Sequence, residues 1–193
     1  MSVAVFDVSS YATVAATGEP PAGVSVNVVG VRVPALIERL NVTVTFEFAA
    51  SYRHYHAALM HVALTGKVDP RQREMFAACV EALAAATETL RPGRTVGEVF
   101  DAHARALTKA GYEGHFLNAC GYTMGATYPP TWMDWPMVYT GNPQVLAPGM
   151  VFFVHMILLN SRTGLSMCLG ETSIITAKGC EAVTHAPRQL VVN

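Results

Sequence analysis

The hydrophobic residues of this chain change their spacing twice, and this change limits the possible folds more than any other feature. Residues 42–48 alternate apolar and polar side chains, the period-two pattern of a half-buried strand. From Arg71 to about residue 109 the apolar side chains recur every three or four residues, as in a helix. Strand-like segments return from residue 150. Strands, two helices and further strands predict an α+β domain, with helices on one face of a mainly antiparallel sheet.

The boundaries of these elements follow from local signals. Residues 51–61 are interpreted as the return strand of a hairpin that turns within residues 49–53. The first helix ends at Pro92-Gly93, and Thr95 with Glu98 three positions later forms the capping box that starts the second. Further strands are predicted over 150–159, 165–169, 171–176, 180–184 and 189–192. The first 40 residues suggest a short element at 3–16, a loop at 18–23 and a valine-rich alternation at 24–33.

Composition narrows the class of protein and its partners. The chain has 193 residues, of which 51% are hydrophobic and 14% charged, so we expect one domain whose apolar surface faces a core or a second copy in a homodimer. A net charge of -1 without a basic cluster gives no reason to bind nucleic acid or an anionic membrane. No apolar run is long enough to span a membrane, and the four scattered cysteines suggest reduced thiols. We therefore expect a cytoplasmic protein.

The stretch 114–160 contains more special residues than a plain scaffold requires. Glycines flank Tyr122 at positions 121 and 125, so the backbone can approach a ligand closely there. Trp132 and Trp135 are the only two tryptophans in the chain. Large aromatic side chains line small-ligand sites and also bury into interfaces. Tyr122, Trp132 and Trp135 are therefore candidate substrate-binding residues. The alternative is a packed ring for Tyr122 and a dimer interface for the tryptophans.

Three ionisable side chains interrupt apolar strand patterns: Glu47, His155 and Glu171. A charged group on an inward-facing strand surface is costly unless it has a partner or water. One shared pocket would provide a partner or water for all three side chains. The alternative for each is an ordinary surface position or a hydrogen-bonded position.

The remaining histidines indicate a functional role less clearly. His54 and His56 would share one face of a strand, so they could form a metal pair or be hydrogen-bonded or exposed residues. His56 is included among the candidate substrate-binding residues. His103 lies on the apolar stripe of the second helix, which favours a structural role.

Three motifs resemble the creatinase/aminopeptidase superfamily (the M24 or Xaa-Pro peptidase family), which has the pita-bread fold. Gly121-Tyr-Thr-Met-Gly125 stands where the peptidases carry Gly-His-Gly-Ile-Gly. Leu146-Ala-Pro-Gly-Met-Val151 is similar to their Leu-x-Pro-Gly-Met-Val, and 170–179 resembles their closing Glu-Asp-Thr-x-x-Val-Thr-x-x-Gly. The Gly-Tyr-x-x-Gly with Pro-Pro-x-Trp after it is most similar to the branch with ectoine hydrolase and creatinase-like proteins. The resemblance implies a curved antiparallel sheet with helices on one face.

The same resemblance implies a dinuclear metal site that this sequence does not reproduce. The peptidases use two aspartates, a histidine and two glutamates, and the matching positions are Glu47, Ala58, Tyr122, His155 and Gly170. Two of these residues have no ligand atom, and a neutral phenol is a poor ligand for a hard divalent ion. We therefore expect no metal and no cofactor.

The resemblance to creatinase implies a function that such a site could retain, because creatinase hydrolyses a C–N bond without metal. By analogy His155 would transfer protons. Glu47 and Glu171 would hold the positively charged group of a small zwitterionic substrate or short peptide. The analogy has departures, since no histidine precedes Glu47 as in creatinase, and creatinase's two glutamates match His155 and Gly170. One alternative is an inactive homologue that binds a ligand or partner. Another is a metal-dependent Xaa-Pro peptidase with displaced ligands, drawn from His54, His56, Glu47 and His155.

The chain is also short for this family. Members begin the domain with a long helix and usually carry a further N-terminal domain, and neither fits before Glu47. We expect residues 1–193 to form a single, incomplete domain, truncated on its N-terminal side. A sheet without its first helix exposes apolar surface, which strengthens the expectation of a homodimer.

Overall fold

The structure of the protein is a computed structural model. It describes residues 43–128 and 131–192, and the backbone of residues 14–15 and 27–28. Strands β1 (Val14–Ala15) and β2 (Asn27–Val28) pair antiparallel with each other. The other N-terminal predictions, over 3–16, 18–23 and 24–33, lie outside the described residues.

A long hairpin opens the described part of the chain. Strands β3 (Thr43–Tyr52) and β4 (Tyr55–Leu64) pair along their whole length. The turn is made by Arg53 and His54, whose φ angles are 51° and 67°. Two-residue hairpin loops of this kind need left-handed backbone at both positions, which matches the twist of the strands. The predicted hairpin is confirmed, but the predicted turn within 49–53 begins too early, because Ala49 and Ala50 remain in the strand ladder.

Two capped helices follow the hairpin. Helix α1 (Pro70–Thr89) starts at Asp69, whose side chain and that of Gln72 form a capping box. Helix α2 (Val96–Lys109) starts at Thr95, and the predicted capping box with Glu98 is present. Each box satisfies backbone N–H groups that the first helical turn leaves without a partner.

The second half of the chain completes the sheet with six strands. They are β5 (Gly121–Met124), β6 (Met133–Met137), β7 (Val151–Asn160), β8 (Leu165–Ile175), β9 (Cys180–Ala182) and β10 (Val191–Val192). The strand order is β10-β4-β8-β7-β5-β6, with β3 also paired to β4 and β9 to β8. All pairs are antiparallel except β10 with β4. The two strands predicted over 165–169 and 171–176 are one, because Gly170 stays in register with its neighbours.

Both helices cover the same side of the sheet, which we call the helix face. The Sγ atom of Cys180, next to β8, lies 3.1 Å from the carbonyl oxygen of Thr87 in α1. The ring of His61 in β4 lies 5.8 Å from the ring of Phe76 in α1. Alternate residues of the central strand β7, such as Phe152 and Val154, point to this side and are fully buried. The predicted α+β architecture with helices on one face is confirmed.

The opposite side, which we call the concave face, is enclosed by curvature of the sheet. Glu47 in β3 and Tyr122 in β5 are four strand spacings apart, about 19 Å in a flat sheet. Their side chains are nevertheless near enough for each to affect the pKa of the other. The hairpin turn also meets the loop after β5, where the backbone N–H of Thr127 donates to the carbonyl of His54 over 3.0 Å. The sheet therefore curls until its two ends meet around this face.

No helix within the described ranges has the length and apolar character needed to cross a membrane.

Candidate functional site

The sheet register gathers the candidate residues of the central strands on the concave face. Partners directly opposite each other in an antiparallel ladder point to the same side. Glu47 lies opposite Met60, Met60 opposite Gly170, and Gly170 opposite His155. The same register places all five positions that match the family's metal ligands on this face: Glu47, Ala58, Tyr122, His155 and Gly170.

The polar part of the concave face consists of three neighbouring side chains. The indole Nε1–H of Trp132 donates to the Tyr122 hydroxyl oxygen over 2.9 Å. The Tyr122 hydroxyl also lies near the Glu47 carboxylate, and each of these two groups affects the pKa of the other. Burial raises the pKa of Tyr122 to about 12, so the phenol keeps its proton at neutral pH. Glu47 is exposed, yet the protein atoms around its carboxyl group raise its pKa above the usual value, against the lowering effect of the nearby Tyr122 hydroxyl.

Aromatic contacts connect these side chains to His155. The Tyr122 ring centroid is 5.9 Å from the His155 ring and 5.4 Å from the Phe153 ring, and Phe153 is 5.5 Å from His155. Phe153 is fully buried and Tyr122 nearly so. The centre of the concave face is thus filled with rings, whereas Glu47 is exposed and Trp132 is half-buried.

His155 is held in its neutral form. Its relative exposure is 8%, and burial lowers its pKa to about 4. Its Nδ1 atom has no hydrogen-bond partner among the described residues. A buried imidazole with an unused ring nitrogen can accept a proton at neutral pH without first losing one.

His56 lies at the edge of this region. Its Nδ1 atom is 3.2 Å from the hydroxyl oxygen of Thr127. His54 occupies the hairpin turn, and its ring stacks against Tyr128 with centroids 4.3 Å apart. His54 and His56 therefore make contacts that hold the hairpin turn against the loop after β5, which agrees with the hydrogen-bonded alternative for His56.

Glu171 does not join the candidate site, which corrects the sequence prediction. It lies opposite Val154, so its side chain points to the helix face rather than toward Tyr122. Arg188 binds it through two hydrogen bonds of 2.7 Å, from Nε to Oε1 and from Nη2 to Oε2. Glu171 is only 4% exposed. Its charge is thus satisfied within the fold, and Arg188 is the partner that the sequence interpretation missed.

Trp135 is also separate from the other candidates. It is 70% exposed and lies in the edge strand β6. It lines a surface groove of about 410 Å³ together with Tyr139, Pro143 and Val145. None of the residues on the concave face lines that groove. Of the two tryptophans, Trp132 therefore lies with Tyr122 on the concave face, and Trp135 does not.

The residues at the five matched positions do not fit a pair of divalent cations. They supply one carboxylate, one imidazole and a phenol that stays protonated, whereas such ions prefer several carboxylate oxygens. At Gly170 an added Cβ would come within 2.8 Å of the Phe153 ring, so this ring occupies the space that a carboxylate side chain would need. Within 43–128 and 131–192, no three or more His, Cys, Asp or Glu side chains are close enough to hold a metal ion.

His103 on α2 belongs to the core, as its position on the apolar stripe suggested. Its ring lies 5.4 Å from Phe100 and 5.1 Å from Phe116. It is 1% exposed, and burial, with a smaller contribution from His155, lowers its pKa to about 4.

Sequence comparison identifies the family to which this fold and these motifs belong. The family model of metallopeptidase family M24 matches residues 8–177. The chain belongs to family M24. The pita-bread fold expected from the three motifs is thereby confirmed, together with the family resemblance.

Relatives within M24 include both peptidases and a small-molecule hydrolase. The chain is 30% identical to an ectoine hydrolase of Halomonas elongata over 76% of its length. It is 28% identical to a Xaa-Pro dipeptidase of Pyrococcus furiosus over 84% of its length. The solved prolidase of Pyrococcus horikoshii superposes with a TM-score of 0.70 at 25% identity, over 77% of this chain. The chain spans only 36%, 45% and 42% of these three proteins.

Proposed function

We propose that this M24-family chain is a metal-independent hydrolase that cleaves a C–N bond, of the amide or amidine type, in a small zwitterionic substrate. The observation that carries the proposal is the joint placement of Glu47, Tyr122 and His155 on the concave face. These are three of the positions that match the family's metal ligands, and each now carries a group suited to proton transfer or to binding an organic cation. No metal or cofactor takes part in the proposed reaction.

The Glu47 carboxylate is the proposed anchor for the positive end of the substrate. It is exposed, lies on the same face of the sheet as Tyr122 and His155, and has the Tyr122 hydroxyl nearby. A carboxylate has about four acceptor positions, so several remain for N–H donors of a ligand. The raised pKa of Glu47 agrees with a carboxylate that would gain from a cationic partner.

His155 is the proposed acid and base. In its neutral form it accepts a proton from the attacking water as the new C–O bond forms. It then returns this proton to the nitrogen that leaves when the C–N bond breaks. Tyr122 would donate a hydrogen bond to the oxygen or nitrogen on which negative charge develops. Groups of this kind typically contribute about 10²- to 10⁴-fold to a rate.

Family relatives support the reaction class without deciding the substrate. The ectoine hydrolase and the Xaa-Pro dipeptidase are both similar to this chain over three quarters of its length or more. We propose ectoine-like zwitterions as the first substrates to test, and short Xaa-Pro peptides as the second.

A second candidate function is ligand binding without catalysis. Two observations favour it: Arg188 already neutralises Glu171, and His155 is 8% exposed within a face filled by Phe153 and Tyr122. In this case the concave face would bind the same zwitterions and release them unchanged.

We also propose a cytoplasmic homodimer. Large apolar side chains are exposed on and near the edge strand β6, among them Met133, Trp135 and Val145. Exposed apolar groups of this size are typical of surfaces that bind another chain. All four cysteines are free and lie within the described ranges, which agrees with a reducing compartment.

Turnover measurements on the purified full chain test the proposed function. Ectoine, creatine and proline dipeptides are incubated with the wild type, with His155→Gln and with His185→Gln, a substitution at an exposed position. We expect His155→Gln to lose about 10²-fold or more of the activity and His185→Gln to retain it. The activity should survive a chelator, and metal analysis should find less than one equivalent per chain.

The outcomes separate the candidates. Turnover that is equal in His155→Gln and in the wild type contradicts the proposed mechanism. Ligand binding without turnover in the wild type supports the second candidate. About two equivalents of Mn, Co or Zn, with activity that a chelator abolishes, would support a metallopeptidase with displaced ligands.

A further inference from the structure

The edge of strand β8 changes its neighbour at Thr172. At Gly170 this edge pairs with β4, and from Ser173 onward it pairs with β9. The backbone of Thr172 bonds to the segment after β9. Its N–H donates to the hydroxyl of Thr184 over 3.0 Å, and its carbonyl accepts from the N–H of Val183 over 2.7 Å. Both of its backbone polar groups are therefore directed away from β4.

The side chain of Thr172 bonds to β4 instead. Its hydroxyl oxygen accepts from the backbone N–H of Ala58 over 2.9 Å, and the hydroxyl donates to the carbonyl of Ala58 over 2.8 Å. Both residues are fully buried. A hydroxyl can take the place of a neighbouring strand here because, like a peptide unit, it can both donate and accept. The buried backbone groups of Ala58 thus depend on a side chain for their hydrogen bonds.

These two bonds lie at the junction between the two parts of the candidate site. The hairpin of β3 and β4 contains Glu47, whereas β5 and β7 contain Tyr122 and His155. Strands β3 and β4 share ten residue pairs, and β7 and β8 also share ten. Among the residues that the structure describes, the register of β4 with β8 contains a single pair, Met60 with Gly170. The hairpin is therefore joined to the other strands by few backbone contacts, and the Thr172 hydroxyl adds two bonds at this place.

We propose that Thr172 is a positioning residue that, through its two bonds to β4, sets the position of Glu47 relative to Tyr122 and His155 and thereby the affinity of the concave face for a cationic ligand. This inference rests on the proposed function, in which Glu47 is the anchor for the positive end of the substrate. Thr172 is fully buried, so it acts through β4 and not by contact with the ligand.

Hydrogen exchange of backbone amides tests the positioning without any ligand. At the hairpin turn, the N–H of Thr127 donates to the carbonyl of His54, so its exchange reports whether the hairpin keeps its place against the loop after β5. The N–H of Val138, which donates to the carbonyl of Gly121, is the reference outside the hairpin. We expect Thr172→Val to speed exchange at Thr127 about tenfold more than at Val138, because only local opening should increase. An equal change at both amides would overturn the proposal.

Two further variants separate positioning from a loss of stability. Thr172→Ser keeps the hydroxyl and should exchange like the wild type. Thr184→Val removes a hydrogen bond to the same residue on the side away from β4, so it should lower the stability without moving the hairpin. If exchange at Thr127 rises as much in Thr184→Val as in Thr172→Val, Thr172 only stabilises the fold. If Thr172→Val does not fold, Thr172→Cys takes its place in this comparison, because a thiol is similar in size and bonds more weakly.

Titration with methylguanidinium, a small cation with N–H donors, tests the effect on the anchor. Thr172→Ser and Thr184→Val should bind it with the affinity of the wild type. Thr172→Val should bind it roughly tenfold more weakly, because a displaced carboxylate loses part of a charge-assisted hydrogen bond to the ligand. An unchanged affinity in Thr172→Val would overturn the role of Thr172 in the site. If the wild type does not bind methylguanidinium while exchange at Thr127 responds to Thr172→Val, the anchor of the proposed function fails and the positioning of the hairpin by Thr172 stands.

Discussion

The two faces of the sheet each contain a glutamate within an apolar strand, and the two glutamates have opposite surroundings. On the helix face, Glu171 is buried and accepts hydrogen bonds from Nε and Nη2 of Arg188. On the concave face, Glu47 is exposed and interacts with a neutral phenol. The same residue type in the same kind of pattern is therefore paired with an arginine on one face and remains exposed on the other. What distinguishes them is whether the fold itself supplies the cation.

Among the substitutions compared at neutral pH, removal of Arg188 should have the largest effect, because it leaves a buried carboxylate without its partner. We expect Arg188→Met to lower the free energy of unfolding by about 3 kcal/mol, as for other broken buried ion pairs. Urea denaturation of the wild type and the variant measures this. The double variant Glu171→Gln with Arg188→Met should recover part of the loss. A loss below about 1 kcal/mol would mean that the two glutamates do not differ as the structure indicates.

The stability at low pH depends on the two buried histidines, which lie on opposite sides of the sheet. The pKa of both His103 and His155 is lowered from 6.5 to about 4 in the folded state. A depressed pKa means that the unfolded chain binds the proton more tightly, so this stability is complete above pH 6.5 and is lost as the pH falls to about 4. The loss is about 3 kcal/mol for each histidine.

Urea midpoints measured between pH 7 and pH 4 test this, with His103→Leu and His155→Gln as the variants. Each variant should remove about half of the pH dependence in this window, and the exposed control His185→Gln should remove none. A wild-type stability that does not change over this window would contradict the burial of both imidazoles in their neutral form.

A methyl group at Gly170 tests how tightly the concave face is packed. An added Cβ would lie 2.8 Å from Cζ of Phe153 and 3.0 Å from Cβ of His155. We expect Gly170→Ala to destabilise the fold by about 1–3 kcal/mol, a usual cost of overpacking. Thermal unfolding measures this. Phe153→Leu in the same chain should relieve part of the clash. If the double variant loses as much stability as the two single variants added together, the clash with Phe153 is not the cause of the destabilisation.

Substitution of Glu47 should have the smallest effect on stability. Because the protein atoms around its carboxyl group displace water and raise its pKa, the stability linked to this group is present below pH 4.5 and is lost as the pH rises through its folded pKa. At pH 7 we expect Glu47→Gln to change the unfolding free energy by no more than about 0.5 kcal/mol. The same variant should lose most of its affinity for methylguanidinium. A large destabilisation would assign Glu47 a structural role like that of Glu171.

Local signals in the sequence determined the secondary structure of the described chain. Thr95 and Glu98 predicted the start of α2 because a capping box involves residues only three apart. The alternation over 42–48 predicted β3 for a similar reason, since side chains two apart share a face. The motif at 121–125 and the Leu-Ala-Pro-Gly-Met-Val sequence also identified the family correctly. Where the local signal was ambiguous, at the alanines of the hairpin and at Gly170, the predicted boundaries were wrong.

The partner of each polar side chain was decided only by the tertiary structure. Glu47 and Tyr122 are 75 positions apart in the chain, and they meet because the sheet curls through four strand spacings. Glu171 and Glu47 interrupt their strands in the same way, and nothing in either local pattern shows that Arg188 reaches one of them. Periodicity reports which residues share a face, but the charge that a group meets depends on which distant strand or terminal segment packs beside it.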